Sequence, residues 1–149
     1  MASEIWFYHL ERTGLHVALC DLLEKVIAKP WRAYIYADEA RFEPLSQALW
    51  TYRDEGFLAH GVESHELSPH QPILLGSSGK ATNKADVFFS ISPRDLPDLK
   101  GFQRSIILFE GADEDHLNWA RAQWTKSKSP DVDRAYFKQT VRGNWEKVG

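Results

Sequence analysis

The sequence has a single cysteine, a single methionine and no long apolar run in its 149 residues. Cys20 cannot form an internal disulfide, and a lone cysteine fits a reducing compartment. No apolar stretch approaches the roughly 18 residues that span a membrane. The start, residues 1–4, lacks the basic and apolar regions of a signal peptide. These absences predict a cytoplasmic protein with no membrane-spanning segment.

Motifs of catalysis are also scarce. The segment 76–80, Gly-Ser-Ser-Gly-Lys, has two residues between its glycines, and neither Ser nor Thr follows Lys80. A phosphate-binding loop needs about four residues there and a Ser or Thr after the lysine. His60, His65 and His70 recur at a spacing that fits neither one helix face nor a common zinc signature. We expect a mobile surface turn and exposed histidines; the alternative is a nucleotide- or metal-dependent hydrolase that uses Lys80 or these histidines.

The charge is small overall but unevenly distributed. The net charge is −3 and the isoelectric point about 6.1, which argues against strong direct binding to nucleic acid. Residues 1–115 hold eleven Lys and Arg against eighteen Asp and Glu, whereas residues 116–149 hold seven against three. Such asymmetry is typical of a chain with a charged partner surface, although ordinary solvated charge explains it equally well.

Apolar periodicity predicts one domain, 1–149, of the α/β class with a mainly parallel sheet. The helices are expected over 15–28, from 39 to about 52 with Asp38 as its N-cap, and over 113–127. Strands are expected at 5–10, 31–37, 72–75, 85–91 and 106–109, and a terminal hairpin at 136–140 and 144–148. This order resembles a nucleotide-binding fold without its glycine-rich fingerprint.

Two clusters remain as candidate binding surfaces. Trp50 ends a predicted helix and Phe57 follows in a loop; such aromatics are common in protein contacts, but core positions are equally compatible with the pattern. On the last helix, Arg121 and Trp124 are three residues apart and Lys128 four further, so they are expected to share a face. That face suits an acidic peptide with an apolar end, or single-stranded bases, while solvated cations around a core Trp124 are about as compatible.

The whole chain resembles the chi subunit family of bacterial DNA polymerase III. The segments that carry the resemblance are 5–10, 48–61, 106–109, 120–124 and 136–145. The most specific of them runs from a tryptophan to a histidine over 50–60, Trp-Thr-Tyr-Arg-Asp-Glu-Gly-Phe-Leu-Ala-His.

The resemblance implies a non-enzymatic, cofactor-free protein with a three-layer α/β fold, associated with the replisome. It further implies a link between the clamp loader and single-stranded DNA-binding protein, whose acidic C-terminal tail ends in phenylalanine. Arg121 and Trp124 match the positions that contact this tail, and Lys126 or Lys128 is expected to replace a family lysine at 125. Trp50 and Phe57 match the surface for the psi subunit or another partner such as a helicase.

Overall fold

The computed structural model defines three helices and eight strands within the described part of the 149-residue chain. The described residues are 3–11, 14–51, 60–63, 66, 68–99, 101–128, 132–140, 142 and 145–148. The helices are α1 (Leu15–Ala28), α2 (Phe42–Trp50) and α3 (Glu114–Lys126). The strands are β1 (Ser3–Leu10), β2 (Ala33–Tyr36), β3 (Gly61–Val62), β4 (Ile73–Gly76), β5 (Val87–Ser90), β6 (Arg104–Glu110), β7 (Val132–Gln139) and β8 (Trp145–Lys147).

All eight strands belong to one sheet in the order β3-β4-β2-β5-β6-β1-β7-β8. Every pairing is parallel except that of β7 with β8, which is antiparallel. The predicted α/β class, the mainly parallel sheet and the adjacency of β2, β5, β6 and β1 are therefore confirmed. β5 and β6 lie between β1 and β2 in this sheet, whereas a dinucleotide-binding sheet places its first two strands side by side. The Rossmann-like likeness thus lies in the parallel α/β pattern and not in the strand order.

Successive residues of β1 pack into two different core clusters, as the two-residue period of a strand requires. Phe7 belongs to a cluster with Phe109 and with Ala120 of α3. Tyr8 belongs to the cluster that contains Leu19 of α1 and residues of α2. Burial of each such apolar side chain contributes roughly 1.5–3 kcal/mol to the free energy of folding, so both clusters stabilise the packing of the helices against the sheet. The three-layer arrangement of the helices stays a prediction.

Helix α1 has the predicted bounds, and α3 begins one residue after its predicted start. The second helix differs: a 3-10 turn over Glu39–Arg41 comes first, and α2 begins at Phe42. Asp38 is the N-cap residue of the 3-10 turn and not of α2, whose N-cap is Arg41, and its side chain accepts no capping hydrogen bond. Its carboxylate instead forms an ion pair with Arg94, whose Nε lies 3.1 Å away.

The C-terminal hairpin is confirmed, but its first strand is longer than predicted. β7 begins at Val132 and runs parallel to β1, with Tyr136 opposite Phe7. Asp133 and Arg134 interrupt the apolar pattern there, so hydrophobic periodicity does not predict the first residues of the strand. Among the described helices, none has the length and apolar character needed to cross a membrane.

Candidate protein-binding site

Helix α3 positions the predicted peptide-contacting residues, and its start is fixed by a cap. The Asp113 side chain accepts a hydrogen bond from the backbone N–H of His116 at 3.1 Å. Glu114 and Asp115 occupy the first turn and Lys126 the last, as the helix dipole favours. The helix therefore presents Arg121 and Trp124 on one face, as their spacing predicts.

Trp124 is half-buried and held on several sides. Its ring packs edge-to-face on Phe7 and on Tyr136, with centroid separations of 5.3 and 5.7 Å. The Arg134 guanidinium lies 4.1 Å from the ring centroid, and its Nη1 donates to the Trp124 carbonyl at 2.6 Å. The core and surface alternatives for Trp124 are thus both realised: one part of the ring is packed, and another is accessible.

A cavity of about 280 Å³ lies beside this ring, hereafter the α3 cavity. Its described lining residues are Arg121, Trp124, Tyr136 and Val148. Three walls are apolar or aromatic and one carries a guanidinium, so the cavity suits one large apolar side chain next to a carboxylate.

The lysines predicted to assist Arg121 lie at the end of α3. Lys126 is the last helical residue and Lys128 follows the Ser127 C-cap, and both are exposed. Neither is among the described lining residues of the α3 cavity. Because α3 ends before Lys128, helical spacing does not place Lys128 on the Arg121 face. Both lysines can still attract an acidic ligand over a Debye length, roughly 8–10 Å.

A hydrogen bond to His9 fixes the position of Tyr136 in the wall of the α3 cavity. Its hydroxyl lies 2.7 Å from Nδ1 of His9. Burial lowers the pKa of His9, although Glu11 partly opposes this, so the imidazole is neutral at pH 7 and Nδ1 can accept the hydrogen bond. Glu11 lies 3.7 Å from Nε2 of His9 and 3.4 Å from Nζ of Lys138. Sequence analysis missed His9 and Tyr136 as site residues, because only the parallel pairing of β1 with β7 brings them together.

The second predicted cluster is only partly described. Trp50 ends α2 with 46% of its surface exposed, so it is not a core residue. Its ring centroid lies 4.6 Å from that of His60, whose Nε2 is 2.7 Å from Oγ of Ser46. Phe57 lies outside the residues that the structure describes.

The loop at 76–80 resembles an anion-binding loop because it binds a carboxylate side chain of the protein itself, that of Glu63. The Glu63 carboxylate accepts hydrogen bonds from the backbone N–H groups of Ser77 and Ser78, at 2.8 and 3.0 Å. Oγ of Ser78 and the hydroxyl of Tyr34 donate to its other oxygen, at 2.6 and 3.0 Å. Burial alone would raise the pKa of Glu63, but these hydrogen bonds lower it below its usual value. The loop donors that a phosphate would need are therefore occupied.

Glycine is required at two points of this loop. A Cβ at Gly76 would collide with the Tyr34 hydroxyl and the Glu63 carboxylate, and Gly79 has φ +83°. Lys80 is exposed beside them. The glycines thus serve a close internal approach and a turn.

The histidine alternative gains no support within the described part of the chain. His60 is engaged with Ser46 and Trp50, His70 is exposed on a 3-10 turn, and His65 lies outside the described residues. Among described residues, no group of three or more His, Cys, Asp or Glu side chains could hold a metal ion.

Two comparisons with known proteins lead to the same family. Residues 2–134 match the family model described as DNA polymerase III chi subunit, HolC. The chain is 28% identical over 74 residues to the DNA polymerase III subunit chi of Pseudomonas aeruginosa strain PAO1. That alignment covers 49% of this chain and 51% of the relative, so it spans about half the length of each. Since the family model covers most of the sequence, the chain belongs to the DNA polymerase III chi subunit family.

Proposed function

We propose that this protein is a non-catalytic accessory subunit of DNA polymerase III that binds the acidic C-terminal tail of single-stranded DNA-binding protein. Through that contact it would link the tail-bearing protein to the clamp loader during DNA replication in the cytoplasm. The observation that carries the proposal is the α3 cavity, where an apolar pocket of one-residue size adjoins the Arg121 guanidinium. Membership of the chi family supports the role in replication.

The proposed mode of binding uses two kinds of contact. The terminal phenylalanine ring of the tail enters the α3 cavity and packs on Trp124 and Tyr136. Arg121 binds the terminal carboxylate, and Lys126 and Lys128 attract the acidic residues that precede it. Because the cations are exposed, we expect an affinity on the order of micromolar that falls with added salt.

The second proposed contact uses Trp50 together with Phe57 and serves the psi subunit, where one exists, or a helicase. The exposed indole of Trp50 supports this, because a large aromatic side chain at the surface is a common contact hot spot. A clamp-loader link through this surface and a tail contact through α3 would use separate parts of the sequence.

The experiment that tests the proposal is calorimetric titration with a synthetic acidic peptide that ends in phenylalanine. The intact peptide should bind, and a peptide without its final phenylalanine should bind poorly even at low salt, because charge alone leaves the pocket unfilled. Arg121→Ala should weaken binding by ~1.5–3 kcal/mol, as for a hydrogen bond to a charged group. Lys80→Ala is the matched control, since Lys80 is an exposed cation on another loop. Equal affinity for both peptides, or no binding of either, would exclude the proposal.

A further inference from the structure

A larger cavity of about 570 Å³ lies between α1 and the β1–β7–β8 part of the sheet, hereafter the aromatic groove. Its floor is formed by Trp6, Tyr8, Phe137 and Trp145. Tyr8 stacks on Phe137 at 4.9 Å and meets the edge of Trp145 at 4.8 Å, while Trp6 lies 5.5 Å from Phe137. Trp6, Phe137 and Trp145 are only half-buried, so the floor has accessible ring surface.

The aromatic groove is separate from the α3 cavity. Its floor residues Trp6, Phe137 and Trp145 pack against the core cluster of α1 and α2, whereas Trp124 and Tyr136 pack against the cluster of α3. Alternation along β7 explains this, because Tyr136 and Phe137 are successive residues and point to opposite sides of the sheet. A ligand in one site therefore leaves the other accessible.

The rim of the aromatic groove is cationic. Lys25, Lys29 and Arg104 line it, and none of the described lining residues carries a carboxylate. Nζ of Lys29 lies 4.6 Å from the ring centroid of Trp31, and the Arg104 guanidinium lies 3.8 Å from that of Trp6. Glu4 pairs with Arg104 at 2.8 Å, but both lysines are exposed at the rim. Such a rim complements an anionic partner, and two copies of the groove would repel each other.

We propose that the aromatic groove binds an acidic amphipathic segment of a partner protein. The large apolar side chains of the segment would lie on the aromatic floor, and its carboxylates would pair with the exposed Lys25 and Lys29, since Arg104 already pairs with Glu4. The groove has about twice the volume of the α3 cavity, so it takes several side chains of a continuous segment rather than one terminal residue. This site does not depend on the tail contact proposed above.

Nuclear magnetic resonance of the indole N–H groups tests the proposal directly. The probe is a synthetic peptide with tryptophan and leucine on one helical face and glutamate on the other, acetylated at one end and amidated at the other. Since it has no terminal carboxylate, it lacks the feature that Arg121 would bind. We expect it to shift the indole signals of Trp6, Trp31 and Trp145, and to leave those of Trp50 and Trp124 unchanged.

Charge variants supply the second measurement. Lys29→Glu should weaken binding of the glutamate peptide by roughly tenfold or more, because it reverses a rim charge. Lys80→Glu makes the same charge change away from the groove and should have no effect. A peptide with lysine in place of glutamate should not bind. In contrast, Arg121→Ala should weaken only the phenylalanine-ended tail peptide.

Three results would overturn the proposal. The first is the absence of shifts at roughly millimolar glutamate peptide. The second is a response confined to Trp50 or Trp124. The third is equal binding to the unaltered protein and to Lys29→Glu. The tail peptide is added to a separate sample of the same protein and followed through the Trp124 indole, so failure of the groove and failure of the tail contact are recorded separately.

Discussion

The two tryptophans proposed as contact residues differ in how the fold holds them. Trp124 is half-buried, packs on Phe7 and Tyr136, and is covered by the Arg134 guanidinium. Trp50 ends α2 with nearly half of its surface exposed and packs on His60. The aromatic walls of the α3 cavity are therefore packed against a core cluster, whereas Trp50 is a largely exposed side chain at a helix end. Both tryptophans lie near the C-terminal end of a helix, so position in a helix does not by itself decide whether an aromatic side chain is packed or exposed.

The largest expected effect is on stability. Trp124→Ala should lower the free energy of unfolding by about 3 kcal/mol, because it removes ring contacts and leaves a cavity. Trp50→Ala should lower it by less than about 1 kcal/mol, since much of that ring is already in solvent. Urea unfolding of the two variants beside the unaltered protein measures both values. Equal losses would break the comparison.

The pH dependence of stability sharpens the comparison on the α3 side. Burial lowers the pKa of His116 from 6.5 to about 4, while Asp113 opposes this and Arg41 adds to it. The folded protein therefore binds this proton less readily than the unfolded chain, and the stabilisation is present above pH 6.5 and lost as the pH falls toward 4. Between pH 7 and pH 5 we expect a loss of about 2 kcal/mol.

The variant His116→Leu isolates this contribution. Nε2 of His116 is buried without a hydrogen-bond partner among the described atoms, so removing the imidazole leaves no described group unsatisfied. Urea unfolding at pH 7 and pH 5 should show a smaller pH effect in the variant than in the unaltered protein. The same pH effect in both would assign the acid sensitivity to other groups.

The exposed surface is tested by partner binding. If Trp50 is a hot spot, Trp50→Ala should weaken binding of a psi-like or helicase partner by about 2 kcal/mol while tail-peptide binding stays unchanged. Arg121→Ala should give the reverse pattern. Surface plasmon resonance with each immobilised partner measures the effect of each variant on each contact. A variant that weakens both contacts equally would show that the two partners share one surface.

The smallest effect is expected at Lys80, which serves as the reference for both surfaces. Lys80→Ala should change stability by no more than about 0.5 kcal/mol and should leave both partner contacts intact. Glu63 already occupies the donors of the adjacent loop, so ATP should not bind. A thermal-shift assay with ATP and Mg²⁺ checks this; stoichiometric ATP binding that disappears in the variant would reinstate the phosphate-loop alternative.

Local sequence signals predicted most elements of the fold. The apolar period of 15–28 and the following Pro30 define α1, and acidic residues before and lysines after the apolar positions define α3. β7 was only half predicted, because its first residues are stabilised by pairing with β1, more than a hundred residues earlier in the chain. The sequence predicts the N-cap position of Asp38 but does not reveal that its carboxylate pairs with the distant Arg94.

The candidate site was less accessible to sequence reasoning. Arg121 and Trp124 follow from helical spacing, but the walls contributed by Tyr136 and Val148 depend on sheet register. The aromatic groove draws on residues from five separated stretches of the chain, namely β1, α1 with the residues after it, β6, β7 and β8, and no one stretch reveals it alone. Glu63 was missed because its role depends on hydrogen bonds to a loop fourteen residues away.

The strand order has a consequence for how copies of the protein meet one another. Within the described residues the two edge strands of the eight-stranded sheet are short, with two residues in β3 and three in β8. Long unpaired edges promote pairing between molecules, and short or charged edges discourage it. A partner that is held in a side-chain pocket can leave without breaking the backbone hydrogen bonds of a sheet, whereas a partner joined by strand pairing cannot.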